Sequence, residues 1–208
     1  MSGVAIVDYG MGNLRSVQKA FEHVGADAAI TSDPDRVYSA AMLVLPGVGA
    51  FPRAMQEIAR RGLDEVLRER VRAGTPTLGI CLGMELLFES SSELGGSAGL
   101  GLLPGAVDRL PAEGLKLPQI GWNPVRWLKD DPLVEGLPNP TPMYHVHSYA
   151  VVPADAEAVL GMADYGGDFV TAVARPPLYG VQFHPEKSGP AGLRLLSNLT
   201  RIARAVPA

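Results

Sequence analysis

The sequence predicts an α/β fold in which a mostly parallel central sheet carries helices on both faces and is extended by antiparallel strands in the C-terminal half. Three observations predict this fold. Short apolar runs alternate with helical patterns over residues 1–90, which is typical of parallel strands joined by helical crossovers. Strand-like runs then follow one another over 103–183 with little helix between them. A last amphipathic segment closes the chain.

The first half alternates strand and helix. Residues 4–8 (VAIVD) are a short apolar run, and the following segment places apolar side chains at helical spacing until Gly25. In chain order we predict a strand over 4–8, a helix over 14–24, strands over 28–31 and 41–45, a helix over 52–73, a strand over 77–80 and a helix over 82–89.

The second half is dominated by strands. We predict them near 103–110, 143–151, 157–163, 169–174 and 178–183, followed by a helix over 190–205. Residues 90–101 are mostly small, and we expect a mobile loop there. The length of 208 residues fits one domain spanning 1–208.

Composition excludes several classes of protein. Hydrophobic residues make up 47% of the chain and charged residues 19%, an ordinary globular balance. The net charge of −4 gives no whole-molecule attraction for nucleic acid or anionic lipid. No apolar run approaches the ~20 residues that span a bilayer, and the N-terminus lacks a signal-peptide pattern. The single cysteine precludes an intrachain disulfide and favours a reducing compartment, so we expect a cytoplasmic protein.

That cysteine, Cys81, lies in the segment Gly79-Ile80-Cys81-Leu82-Gly83, where an apolar strand meets a predicted helix. The pattern matches a nucleophile elbow with cysteine in place of serine. Flanking glycines let neighbouring backbones approach, and a helix N-terminus is expected to lower the thiol pKa. The Leu82 N–H would hold an oxyanion. The competing interpretation is a buried structural cysteine.

A cysteine nucleophile needs an imidazole, and His184 stands at the end of the strand 178–183. Glu186 follows two residues later and can orient the ring, which gives a Cys81–His184–Glu186 triad. His145 and His147 share one strand face and could bind a metal, but no third ligand is evident. We therefore expect no metal and no cofactor.

A glycine-rich loop follows the strand that precedes the nucleophile strand. It contains Gly47, Val48 and Gly49. Loops at the same end of adjacent parallel strands are neighbours, so this loop can present backbone N–H groups to a developing oxyanion. We predict it as the second half of an oxyanion hole.

Three motifs together, PGVG at 46–49, GICLG at 79–83 and VQFHPE at 181–186, resemble the triad-type (class I) glutamine amidotransferases. Further segments narrow the resemblance to the glutaminase subunits of imidazole glycerol phosphate synthase within that family. These segments span nearly the whole chain: DYGMGNLRS at 8–16, IGWNPV at 120–125, HVHSYA at 145–150 and FHPEKSG at 183–189.

The resemblance implies that Cys81 attacks the side-chain amide of glutamine and that a (β/α)8-barrel cyclase subunit, joined in a heterodimer, receives the ammonia for histidine biosynthesis. By the same resemblance, the backbone near His147, Ser148 and Tyr149 corresponds to the glutamine pocket. The partner interface of the family corresponds to the elements around Asn13, Trp122, Asn123 and Tyr144.

One residue departs from the family pattern. The family usually has glutamine where this chain has Glu85. A carboxylate there can still accept a hydrogen bond from the substrate α-ammonium, so we expect activity with altered affinity or pH dependence. Two alternatives remain: a stand-alone cysteine amidase of the same superfamily, and a non-enzymatic redox or regulatory module that uses Cys81.

Overall fold

The computed structural model describes residues 2–205, which form thirteen strands and six α-helices. The strands are β1 (Ser2–Val7), β2 (Ala28–Thr31), β3 (Ala40–Gly47), β4 (Thr77–Cys81), β5 (Phe88–Ser91), β6 (Ser97–Ala98), β7 (Leu103–Arg109), β8 (Gln119–Trp127), β9 (Thr141–His147), β10 (Tyr149–Pro153), β11 (Val159–Asp164), β12 (Asp168–Arg175) and β13 (Leu178–Val181). The helices are α1 (Leu14–His23), α2 (Pro34–Ser39), α3 (Phe51–Arg60), α4 (Leu63–Arg72), α5 (Leu82–Glu85) and α6 (Gly189–Ala205).

The sheet has a parallel part and an antiparallel extension. Strands β2, β1, β3, β4 and β13 lie side by side in that order, all parallel. Beyond β13 the order continues through β12, β10 and β7 by antiparallel pairs. Strands β11, β8 and β9 branch from β12. This arrangement confirms the predicted α/β fold with its parallel core and added antiparallel strands.

Helices cover both faces of the parallel part because its strands are apolar on both faces. In β1, Val4 and Ile6 belong to a buried cluster that includes residues of α1 and α6. The alternate residues Ala5 and Val7 belong to the cluster that includes residues of α3 and α4. This period-two division is the geometry of a strand buried on both sides, and it fixes the sheet in the middle layer.

Two predicted helices differ from the structure. The segment 52–73 forms two helices, since Gly62 adopts a left-handed conformation (φ 66°) between α3 and α4. The predicted helix over 82–89 ends at Glu85, and Phe88–Ser91 instead forms β5, which pairs with β7. Phe88 is fully buried in the same apolar cluster as Leu103, so tertiary packing outweighs local helix propensity there.

Several other predictions were incomplete. The run 143–151 forms two strands, β9 and β10, which meet at Ser148 and pair with different neighbours. Helix α2 and strand β8 were not predicted. Residues 90–101 contain the end of β5, a 3₁₀ turn at Glu93–Gly95 and β6, so the segment is partly structured, and its mobility stays a prediction. Within residues 2–205, no helix has both the length and the apolar character needed to cross a bilayer.

Candidate active site

The predicted site residues lie at the carboxyl ends of three adjacent parallel strands. Gly47 at the end of β3 is in register with Cys81 at the end of β4. On the other side of β4, Ile80 is in register with Val181, and His184 follows three residues later. The topology therefore brings the glycine-rich loop, the nucleophile candidate and the histidine to one sheet edge, although the chain separates them widely.

The backbone at Cys81 has the strained conformation of a nucleophile elbow. Its φ of 55° and ψ of −117° lie where residues other than glycine are rare. The two flanking glycines are needed for space. A Cβ on Gly83 would lie 1.6 Å from the Leu45 carbonyl oxygen, and one on Gly79 would lie 2.6 Å from the Gly83 oxygen. The glycine spacing thus reflects close backbone packing around the turn.

Cys81 is 6% exposed, and two groups from distant segments lie within hydrogen-bonding range of its sulfur. It donates to the Val146 carbonyl oxygen at 3.6 Å, and the Gln182 side-chain Nε2 lies 3.9 Å from Sγ. Val146 is in β9, so this strand runs directly past the nucleophile candidate. The same strand contacts the histidine, since the His184 N–H donates to the Tyr144 carbonyl oxygen at 2.8 Å.

The expectation of a lowered thiol pKa was wrong for this structure. Burial is the largest effect and raises the pKa of the Cys81 thiol, and the carboxylate of Glu85 raises it further. A hydrogen bond from the Leu82 backbone N–H opposes these effects. Helix α5 is only four residues long, so its dipole lowers the thiol pKa only weakly. The chain therefore holds a neutral thiol in this conformation.

His184 and Glu186 form a buried pair. His184 Nδ1 lies 2.9 Å from Glu186 Oε1, and the two side chains are 4% and 1% exposed. A carboxylate only accepts hydrogen bonds, so Nδ1 carries the proton and Nε2 keeps the lone pair that can accept another. Glu186 sits in a 3₁₀ turn, Pro185–Lys187, which begins immediately after the histidine and fixes this geometry.

The predicted oxyanion loop combines exposure with backbone freedom. Val48 is 44% exposed, and Gly49 has a φ of 113° that favours glycine. The loop packs against the segment that follows β1. A Cβ on Gly47 would lie 2.1 Å from the Tyr9 hydroxyl, and one on Gly49 would lie 2.6 Å from the Met11 side chain. The tip of the loop is therefore open, while its base is tightly held.

Glu85 lies inside the protein at the site. It is 5% exposed, and its Oε1 accepts a hydrogen bond of 2.8 Å from Gln182 Nε2. Burial raises the pKa of the Glu85 carboxyl to about 7, and the Gln182 hydrogen bond partly opposes the shift. Gln182 and Tyr9 were missed in the sequence. Gln182 stands among apolar residues two positions before His184. A polar residue in an otherwise apolar strand was the sequence signal that could have identified it.

His147, Ser148 and Tyr149 follow Val146, so the predicted pocket segment begins directly beside Cys81. The His147 side chain is buried and hydrogen-bonded within the protein. All four ring nitrogens of His145 and His147 lie within 3.1 Å of protein oxygens, those of Met143, Thr171, Tyr149 and Gln119. Over residues 2–205, no group of three acidic, histidine or cysteine side chains could hold a metal ion.

These two histidines predict a pH effect on stability. Burial lowers the pKa of His145 to about 3 and that of His147 to about 4. Between pH 6.5 and these values the unfolded chain binds more protons than the folded chain, so each histidine destabilises the fold as the pH falls. We expect a loss on the order of 1–2 kcal/mol per histidine between pH 7 and pH 5.

The measurement must isolate the histidines, because the raised pKa of Glu85 stabilises the folded chain as the pH falls through about 7. The free energy of unfolding is therefore compared between the unmodified chain and His145→Asn at pH 7 and pH 5. The unmodified chain is expected to lose more stability than the variant. Equal losses in the two chains would contradict the assignment of a depressed pKa to His145.

The predicted interface residues divide into two groups. Trp122 is 58% exposed and packs edge-on against Tyr144, with ring centroids 6.0 Å apart. Asn13, at the start of α1, is also exposed. Asn123 differs from these residues: it is 8% exposed, and its side chain donates to the Asp164 carbonyl oxygen. Trp122 and Tyr144 therefore form an aromatic pair on β8 and β9, to which the buried Asn123 side chain does not contribute.

Comparison with known proteins places this architecture in a family. A family model described as glutamine amidotransferase class-I matches residues 5–202. The imidazole glycerol phosphate synthase subunit HisH of Moorella thermoacetica is 49% identical over 204 residues, which cover 98% of this chain and 97% of that protein. The protein of the same name from Symbiobacterium thermophilum is 53% identical over 202 residues, covering 97% and 95%.

Solved structures agree on the fold. PurLQS from Thermotoga maritima superposes with a TM-score of 0.75 at 18% identity, covering 97% of this chain and 99% of that one. The glutaminase domain of CTPS from Trypanosoma brucei gives a TM-score of 0.66 at 18% identity, with coverage of 97% and 94%. The structural likeness concerns the fold, whereas the family model and the sequence identities extend over nearly the whole chain. This chain belongs to the glutamine amidotransferase class-I family.

Proposed function

We propose that this chain is the glutaminase subunit of an imidazole glycerol phosphate synthase and that Cys81, His184 and Glu186 hydrolyse glutamine. The observation that carries the proposal is that the Cys81 elbow and the buried His184–Glu186 pair follow adjacent parallel strands at the same edge of the sheet. The relatives of 49–53% identity that bear this name support the assignment to histidine biosynthesis.

The proposed reaction begins with transfer of the Cys81 proton to His184 Nε2. The sulfur then attacks the carbonyl carbon of the glutamine side chain, and backbone N–H groups of Leu82 and the loop 47–49 stabilise the oxyanion. His184 returns the proton to the leaving ammonia, and a glutamyl thioester remains. His184 next activates a water molecule that hydrolyses the thioester to glutamate and frees the thiol. Glu186 holds the imidazolium in orientation throughout.

The glutamine pocket in this proposal lies between the elbow and the segment 147–149. The contact of Val146 with Sγ supports this pocket, because the backbone of the next three residues continues from beside the sulfur. From the sequence we expect Glu85 to bind the substrate α-ammonium. Its burial against Gln182 leaves little of the carboxylate open, and that role stays a prediction.

A partner subunit is the second part of the proposal. The partner is a (β/α)8-barrel cyclase that receives the ammonia, and the complex is a cytoplasmic heterodimer. Trp122 and Ile120 are 58% and 63% exposed, and they stand on one side of β8 beside Tyr144 of β9. Large exposed aromatic and aliphatic side chains in one patch are typical of protein interfaces. This patch favours a subunit over the stand-alone amidase.

The chain alone is expected to be a slow glutaminase. Its thiol is neutral in the structure because burial and Glu85 raise the thiol pKa. Its proposed oxyanion loop has an exposed Val48 followed by Gly49, and glycine permits the backbone rotation that would point the N–H of the peptide between them toward or away from the substrate. A partner that favours the first orientation would activate the site.

The decisive measurement is glutamate release from glutamine, by the chain alone and with a barrel cyclase subunit plus its nucleotide substrate. We expect little glutamate release by the chain alone and a large rise with the partner.

Trp122→Ala should raise the partner concentration needed for half-maximal activation. Tyr38→Ala is the matched control, since Tyr38 is a 47% exposed aromatic on α2, and its partner titration should not change.

Equal activity with and without the partner would favour the stand-alone amidase. No release under either condition would favour the redox or regulatory module.

A further inference from the structure

A buried polar cluster lies beside the nucleophile candidate, and the proton transfers described above do not use it. It consists of Tyr9, Glu85 and Gln182, which come from the segment after β1, from α5 and from the segment after β13. The three residues are 0%, 5% and 0% exposed. Three separate elements therefore deliver polar side chains to one apolar region, which is costly unless the groups satisfy one another or serve the site.

The amide nitrogen of Gln182 connects this cluster to the sulfur. It donates one hydrogen to Glu85 Oε1 at 2.8 Å and lies 3.9 Å from Cys81 Sγ. An amide nitrogen has two hydrogens, so both contacts can be made at once. Because an ionised carboxylate only accepts hydrogen bonds, Glu85 holds the nitrogen rather than the oxygen of the amide toward the sulfur.

The Val146 carbonyl cannot stabilise a thiolate. It accepts the thiol proton at 3.6 Å, and it becomes a repulsive dipole once that proton leaves. The charged form therefore depends on donors. The backbone N–H of Leu82 and the side-chain amide of Gln182 both lower the pKa of the Cys81 thiol, and Gln182 is the donor that a substitution can remove.

Glu85 acts in two opposite ways on the same thiol. Its contact orients the Gln182 donor, while its negative charge raises the pKa of Cys81.

The remaining polar atoms of the cluster lack hydrogen-bond partners. The Tyr9 hydroxyl and Gln182 Oε1 are buried and have no hydrogen-bond partner within residues 2–205. Such groups cost stability, and their presence beside a reacting atom favours a functional origin.

We propose that Gln182 is a positioning residue for the Cys81 thiolate and that Glu85 holds the Gln182 amide in the donating orientation. The proposal rests on the proposed function for its catalytic consequence. In the proton-transfer step, the S–H bond breaks and the proton goes to His184 Nε2. The sulfur retains the electron pair and accepts the second N–H of Gln182, so no other reactant is needed.

The test measures the rate of Cys81 alkylation by iodoacetamide as a function of pH, which needs no glutaminase activity. Gln182→Met removes the donor with little change in volume, and we expect the midpoint of the alkylation profile to rise by about one pH unit. Glu85→Gln removes the charge and keeps an acceptor, so the midpoint should fall by about one pH unit. With the partner subunit present, Gln182→Met should lower kcat about tenfold with KM nearly unchanged.

The titratable groups around the thiol bear on how these profiles are interpreted. Glu85 and Glu186 act on the thiol, and Tyr9 lies close enough to be affected by the thiol in turn. Glu93 acts on Glu85, and His184 is hydrogen-bonded to Glu186. The same substitution at a second buried glutamine is the matched control. Gln119 is 4% exposed and contacts His147 rather than the sulfur, so Gln119→Met should leave the alkylation midpoint unchanged.

A folded Gln182→Met chain whose alkylation profile superimposes on that of the unmodified chain would overturn the proposal and leave Gln182 a structural residue. If Gln182→Met does not fold, Gln182→Glu is the second variant. It preserves the shape and replaces the donor by an acceptor, so its midpoint should rise by about two pH units, and an unshifted midpoint would again reject the proposal. Failure of the proposed function is recognised separately, by glutamate release that persists without Cys81.

Discussion

Replacing Cys81 by alanine is expected to lower glutamate release by at least about 10⁴-fold, even with a partner subunit present, because the reaction loses its only nucleophile. The structure supports this expectation through the elbow conformation and the adjoining His184–Glu186 pair. The measurement is the rate of glutamate formation at saturating glutamine. Substantial hydrolysis by the variant would contradict the assignment of Cys81 and the proposed mechanism with it.

The free energy of unfolding of Cys81→Ala, compared with that of Cys81→Gly, provides the control. The backbone at Cys81 (φ 55°, ψ −117°) suits glycine, so Cys81→Gly should be more stable than Cys81→Ala by about 1–3 kcal/mol. Both variants should be equally inactive. That pattern would show that the lost activity does not come from unfolding. The chain contains a single cysteine, so thiol labelling of the unmodified protein reports on this position alone.

The second large effect is expected at Gly83, where alanine should destabilise the fold by more than about 3 kcal/mol, the upper end of typical overpacking costs. A Cβ there would lie 1.6 Å from the Leu45 carbonyl oxygen. The obstacle is backbone, in the strand β3 that leads to the predicted oxyanion loop, so no side-chain rotation can relieve it. The measurement is the free energy of unfolding from urea denaturation, with the slope compared between chains.

Gly74→Ala is the matched control, because it separates a steric clash from backbone strain. Gly74 has a φ of 90° and nothing within 4 Å of the position that an added methyl group would take, so alanine there should cost only about 1–2 kcal/mol. Equal losses of unfolding free energy in Gly83→Ala and Gly74→Ala would show that β3 and the elbow can move apart without cost. They would also remove the physical reason given for the glycine after the nucleophile.

The sequence predicted much of the site because its signals are local. The glycines around Cys81 mark a turn that needs close backbone approach, and the structure has that turn. His184 and Glu186 are two residues apart, so their contact needed no knowledge of the fold. The alternation of apolar runs and helical patterns predicted the parallel core because parallel strands require crossovers.

Other features depended on contacts between distant segments. The sequence could not show that β13 is parallel to β4, which is what brings His184 to the edge that holds Cys81. It predicted a helix over 82–89, whereas pairing of Phe88 with Leu103 of β7 made a strand at the end of that segment. Strand pairing is a long-range choice that local propensity does not determine.

The sequence by itself determined which residues have the chemistry for a cysteine hydrolase and the order in which they occur, because glycine spacing and strand ends are local properties. Only the tertiary structure decided the electrostatics of the site. Burial and Glu85 raise the pKa of Cys81, where a helix N-terminus alone predicted a lower value. The physical reason is that desolvation depends on every segment packed around the sulfur, and two of its neighbours are 65 and 101 residues away along the chain.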